Sequence, residues 1–168
     1  MLTALLVLSF AIALIPAVAA QDKKPVTGTM DLEFNLLWPG PQADIPDWVG
    51  TITIDSNEYG MAFFCIGSGK QFAEDPGKVH FFEEIWIIYD YLDFDFVTQE
   101  LDYGQILLWG YDKGVVSWAN SHYVMNGNVE ESFGDFAIWQ GCNVHMSGVI
   151  LWLAPGVPQY APGTFRIN

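Results

Sequence analysis

Between Val79 and Tyr91 the residues His80, Glu83 and Glu84, each able to move a proton, are set in an otherwise apolar run. Read as a strand, the run places His80 and Glu84 on one face with Phe82 and Trp86, and Glu83 on the other. Whichever face turns inward, a carboxylate then sits among apolar side chains. Desolvation raises its pKa and suits it to general acid or base work. Glu84 and His80 are therefore the candidate catalytic residues, with Trp86 as a candidate ligand contact. The competing reading puts them near a strand end, in solvent or paired with Lys70 or Lys78.

The remaining histidines, His122 and His145, fall on other strands. Convergence of all three with Glu84 would build a metal site of catalytic type, but no two have the spacing of ligands on one element. No metal or cofactor is expected. Asn120 with His122, and His145 with Ser147, share strand faces and are candidates to orient a ligand carbonyl; Trp118 joins Trp86 as a candidate aromatic wall. No G-x-S-x-G elbow accompanies the serines, so nucleophilic catalysis is not indicated. Asp90, Asp93, Asp95, Glu100 and Asp102 lack EF-hand spacing and read as a solvated acidic loop. Cys65 and Cys142 are a disulfide candidate in an oxidising compartment, the alternative being two separate buried thiols.

The elements that must position these residues are strands. Met30, Leu32, Phe34 and Leu36 alternate with polar neighbours, and Gly50, Ile52 and Ile54 share one face of the next segment. Tyr59–Ile66 and Val79–Tyr91 follow. Ile106–Tyr111 and Val115–Val124 read as a pair across Asp112-Lys113-Gly114, and Asn126-Gly127 as a two-residue hairpin. Phe136–Gln140, Val144–Leu153 and Thr164–Ile167 complete the series. With no amphipathic helix of useful length, the pattern predicts an all-β, antiparallel eight-stranded barrel or sandwich.

The chain has 168 residues, of which 20 are acidic and 6 basic, for a net charge of −14. Such a surface repels phosphate backbones and excludes nucleic acid as a partner. The apolar run Leu2–Ala19 ends in the small residues Ala17-Val18-Ala19-Ala20, the pattern of a secretory signal. The expectation is a signal peptide over 1–20, a single domain over 21–168, and a secreted or cell-surface protein. The alternative is an uncleaved anchor, because about 18 apolar residues just span a bilayer. Strands apolar on both faces need a cover on the outer one, a second subunit or a loop. A homo-oligomer is expected, with a trimer as its form.

The segment Gly134-Asp135-Phe136-Ala137-Ile138-Trp139-Gln140-Gly141 resembles the G-x-F-x-x-x-x-G strand of the allene oxide cyclase and dirigent barrel superfamily. The resemblance implies a calycin-like, allene oxide cyclase-type barrel with an apolar ligand in its mouth, and carries over no catalytic residue. Three functions follow as expectations: binding of a small apolar or aromatic molecule in the interior, an isomerase or cyclase on the same scaffold, or a structural self-assembling protein. Whether the chain is an enzyme stays open at this point.

Overall fold

The computed structural model describes residues 25–37, 44–69, 79–117, 120–154 and 157–168. The apolar N-terminal segment and the boundary at residue 20 lie outside them.

The alternation in the sequence becomes strand wherever one face can be buried. The first strand, β1 (Val26–Phe34), turns Met30 and Leu32 inward. After Pro46 and Asp47 the chain returns as β2 (Trp48–Ile54), with Ile52 and Ile54 inside. Asp55 and Ser56, at φ of 49° and 68°, make the two-residue turn into β3 (Asn57–Gly69). Positive φ at both central residues is what a hairpin of matching twist requires. The rest runs as β4 (Val79–Tyr89), β5 (Leu92–Asp95), β6 (Glu100–Tyr103), β7 (Ile106–Ser117), β8 (His122–Ser132), β9 (Asn143–Val149), β10 (Leu151–Ala154), β11 (Val157–Tyr160) and β12 (Gly163–Ile167).

Eight of these close a ring in the order β1-β2-β3-β4-β7-β8-β9-β12, antiparallel throughout. β1 seals it, pairing with β2 from Gly28↔Ile54 to Phe34↔Trp48 and with β12 from Val26↔Ile167 to Met30↔Gly163. The eight-stranded antiparallel barrel expected from the sequence is therefore the fold. Its interior holds Met30, Ile52, Met61, Trp86, Leu108, Met146 and Phe165. Burying a side chain of this size contributes roughly 1.5–3 kcal/mol. Trp86 packs edge-on against Phe165 at 5.6 Å, and Gly110 leaves the space its indole needs, since a Cβ there would stand 2.6 Å from the ring.

The outer face of β3 and β4 has its own cover. The β5–β6 hairpin lies across it, burying Ala62, Phe64 and Tyr89 with Ile85, Ile87, Leu92 and Leu101 packed around them. On this face the covering expected of a subunit or loop comes from within the chain. The segment read as a solvated acidic loop is thus a hairpin. Asp95 holds its turn by accepting the Val97 and Thr98 backbone N–H groups at 2.7 and 3.1 Å.

Three strand and turn assignments change. Asp112-Lys113-Gly114 is not a turn but the middle of β7, and Asn126-Gly127 is not a hairpin but lies opposite Lys113 and Asp112 in β8. The reversal falls between Ser117 and His122 instead. A long ladder outweighs local turn preference here, because Lys113 can point outward to Glu83 (2.7 Å) while Asp112 points in. Phe136–Gln140 is not a strand: Gly134–Trp139 forms a 3-10 helix, with Gly134 at φ 56° and Gly141 at φ 73° setting off its ends. The segment that carries the family resemblance is therefore a helical turn on the barrel surface.

No disulfide joins Cys65 and Cys142, both of which are buried. Cys65 lies on β3, and Cys142 immediately precedes β9, four neighbours away in a ring of eight. Opposite walls of a packed barrel do not bring two Cα atoms within the roughly 7 Å a disulfide spans.

Candidate functional site

Inside the barrel, four neighbouring strands bring one row of ionisable groups together. Cys65 on β3 stands opposite Glu84 on β4, and Glu84 stands opposite Asp112 on β7. All three point inward and are buried. Cys65 continues the inward alternation of Met61 and Phe63, and a bulge then places Ile66 as an extra residue between Cys65 and Gly67, turned out to solvent.

Asp47 completes the row from the start of β2. Its backbone N–H donates to the Phe63 carbonyl at 3.0 Å. Two residues further along β3, the Cys65 N–H faces the same side, beyond the point where β2 begins. The Asp47 carboxylate takes the place of the missing ladder partner, accepting that N–H at 3.2 Å. Asn35, fully buried, braces the corner by donating to the Pro46 carbonyl at 3.0 Å and to Gln99 Oε1 at 2.6 Å.

The electrostatics follow from burial. Desolvation is the largest influence on each acid. It raises Asp47 to about 7, although backbone N–H groups and the Glu84 carboxyl hydrogen-bonded to Asp47 pull it back. Desolvation, then the charges of Asp47 and Asp112, hold Glu84 well above the ordinary carboxylate range. Asp112 is raised in the same way by desolvation and by Asp47. The Cys65 thiol is pushed up to about 12, first by desolvation and then by the Asp47 and Glu84 charges. Like charges directly opposed across a ladder are unfavourable, and retained protons remove the conflict. Glu84 therefore keeps a proton and gives it to Asp47 in a hydrogen bond, while both oxygens of Asp112 lack any partner.

Above this row a partly open cavity of about 40 Å³ is bounded by Trp48, Phe63, Tyr123, Met125 and Met146. Among the described residues, Glu84 supplies the only carboxyl group in its wall. The cavity has room for two or three water molecules. Tyr123 is anchored by its hydroxyl to the Ala161 carbonyl at 3.3 Å, and desolvation, then the Glu84 charge, raises its pKa.

Of the residues singled out in the sequence, Glu84 and Trp86 face the interior, two positions apart on β4. Trp86 lies in the core, not on the cavity wall. His80 is in β4 opposite Val116, but its side chain lies outside the described residues, as does Trp118. Asn120 and His122 are exposed at the β7–β8 reversal, and His145 is on the outer face, its Nδ1 2.8 Å from Asn126 Oδ1. These three do not converge with Glu84, because the alternation of their strands sends Tyr123, Val144 and Met146 inward instead. Among the described residues no three His, Cys, Asp or Glu side chains are placed to share a metal ion.

Asp47 and Asp112 are functional candidates that sequence reasoning misses. Asp112 was legible in principle: continuing the alternation Leu108, Gly110, Asp112, Gly114, Val116 through the apparent turn places it inside. Asp47, between Pro46 and Trp48 before its strand begins, offers no periodic signal. Compared with family models, curated proteins and solved structures, the chain matches none.

Proposed function

We propose that this is an exported barrel that binds a small, largely apolar molecule in its mouth, with the polar end of the ligand against the Glu84 carboxyl. The observation that carries the reading is the apolar cavity with one protonated acid in its wall, the combination expected of a binding site rather than of inert core. The free space is small, so the ligand has few heavy atoms. Met125 and Met146, unbranched and adaptable, are the residues that would move to admit it. The test is a titration with butanol and benzene, followed through the methionine methyl NMR signals. Met125 and Met146 are expected to shift while Met30 and Met61, packed elsewhere in the core, stay fixed. Uniform or absent shifts at saturating ligand would remove the reading.

A second reading, proton transfer to the bound molecule as in an isomerase or cyclase, is favoured by one feature. The Glu84–Asp47 hydrogen bond gives the cavity a proton donor with a partner able to take the proton up. Incorporation of solvent deuterium into a bound ligand, lost in Glu84→Gln, would establish it. Binding with no exchange in the wild-type protein would leave the barrel a carrier.

A further inference from the structure

The proposed binding site says little by itself about what the ligand carries at its polar end. The row of acids beneath it says more. Asp47 and Glu84 satisfy one another, and Asp47 also accepts the Cys65 N–H. Asp112 is different: it is 2% exposed, it points inward directly opposite Glu84, and neither of its oxygens has a hydrogen-bond partner. Burying such a group without a partner costs about 1–3 kcal/mol even when it is neutral. The indole N–H of Trp86, two residues from Glu84 on the same face, is also buried without a partner. Fully satisfied interiors are the rule, and an unsatisfied acid directly opposite the carboxyl of the cavity wall calls for a partner.

The charge of that something is constrained. Among the described residues three carboxyl groups face inward, while the basic side chains, Lys113 and Arg166, are exposed. The whole chain carries −14. An anionic ligand would be repelled at every stage of approach. A bare metal ion needs ligands converging on one point at about 2.0–2.6 Å, and the described residues offer no such set. A primary ammonium group fits both constraints, because its three N–H donors diverge and can reach Glu84 and Asp112 on adjacent strands. Its hydrocarbon tail would lie between Trp48, Met125 and Met146, and the aromatic wall adds a cation–π contact.

We infer that the ligand class of this barrel is a small primary amine, bound as its ammonium ion with the head bridging Glu84 and Asp112. The inference rests on the binding site proposed above. Uptake is an exchange: the ammonium enters, the Asp112 carboxyl releases a proton to solvent, and the charge of the interior is unchanged. The titratable groups facing Asp112 are Glu84 from β4, Asp47 from the start of β2 and Cys65 from β3. The group opposite it on β8 is Gly127, which has no side chain.

The experiment is a titration of the whole mature protein at pH 7 with three compounds of one shape, butylammonium, butanol and butyrate, read at the Met125 and Met146 methyls. Butylammonium is expected to bind about tenfold or more tightly than butanol, the gain of a charge-assisted hydrogen bond, and butyrate least. Calorimetry in buffers of different ionisation enthalpy should show protons released on binding the amine and none on binding butanol. In Asp112→Asn the preference for the amine should fall to parity. If butanol binds as tightly as butylammonium, or no proton is released, the amine inference is overturned while the binding site stands. If none of the three moves these methyls, the binding site falls and the inference with it. The comparison on the unmodified protein decides the matter even if the variant does not fold.

Discussion

Glu84 and Asp112 face one another across the β4–β7 ladder, both turned into the barrel and nearly inaccessible to water, at 6% and 2% exposure. A ladder normally keeps like charges apart. Here the two acids, with Asp47, share the barrel interior, and desolvation holds all three above the ordinary carboxylate range.

The sign of the pH dependence follows. Asp47, Glu84 and Asp112 bind protons more tightly folded than unfolded. The stability they permit is complete below the ordinary carboxylate range and is lost as pH rises through the folded values, about 7 for Asp47. Thermal unfolding followed by circular dichroism should give a Tm that climbs from pH 8 to pH 5. A flat profile would mean that water reaches the acids.

Replacing the unpartnered acid separates this effect from general charge repulsion. Asp112→Asn cannot ionise, so it should be more stable than the parent at pH 8, by about 1–3 kcal/mol, and no more stable at pH 4. Urea midpoints at the two pH values provide the check. Equal gains at both would assign the effect to something other than ionisation.

Cys65 should be inert in the folded protein. Its thiol is fully buried and pushed up to about 12, so almost no thiolate is present at pH 8. Iodoacetamide should leave it unmodified until urea unfolds the chain, as peptide mass spectrometry would record. Because no disulfide joins it to Cys142, adding reductant should leave Tm unchanged. A drop in Tm on reduction would place the two cysteines together.

The β5–β6 hairpin is held close by a missing side chain. A Cβ at Gly60 would collide with the Leu92 side chain and stand 2.9 Å from the Leu92 backbone nitrogen. Gly60→Val should lift the hairpin from β3 and β4, lowering stability by about 1–3 kcal/mol and exposing Phe64 and Tyr89. Limited chymotrypsin digestion should then cut the 96–99 turn while the barrel persists. Unchanged resistance would show that the hairpin tolerates displacement.

How far the site was legible depended on how locally each residue is specified. Glu84 could be grouped with Phe82, Trp86 and Ile88 because they share a face over one uninterrupted strand, while the choice of that face over the Glu83 face as the inner one came from the barrel. Asp112 was hidden by the polar triplet Asp112-Lys113-Gly114, whose composition favours a turn when neighbours are ignored. The 3-10 helix at Gly134–Trp139 was hidden by an apolar content equally compatible with a strand, and the positive φ of its flanking glycines is a property of the folded backbone.

By itself the sequence determined that the chain is built of strands, which residues share a face of β1, β2 and β4, and that a carboxylate must lie among apolar side chains. Those are consequences of period-two alternation, which acts over a few residues. The tertiary structure alone decided that β1 closes the ring between β2 and β12, that the β5–β6 hairpin covers β3 and β4, and that Asp47 and Asp112 join Glu84. Each of these brings together residues distant in the chain, and the register that aligns them is set by ladders and barrel closure, not by any local preference.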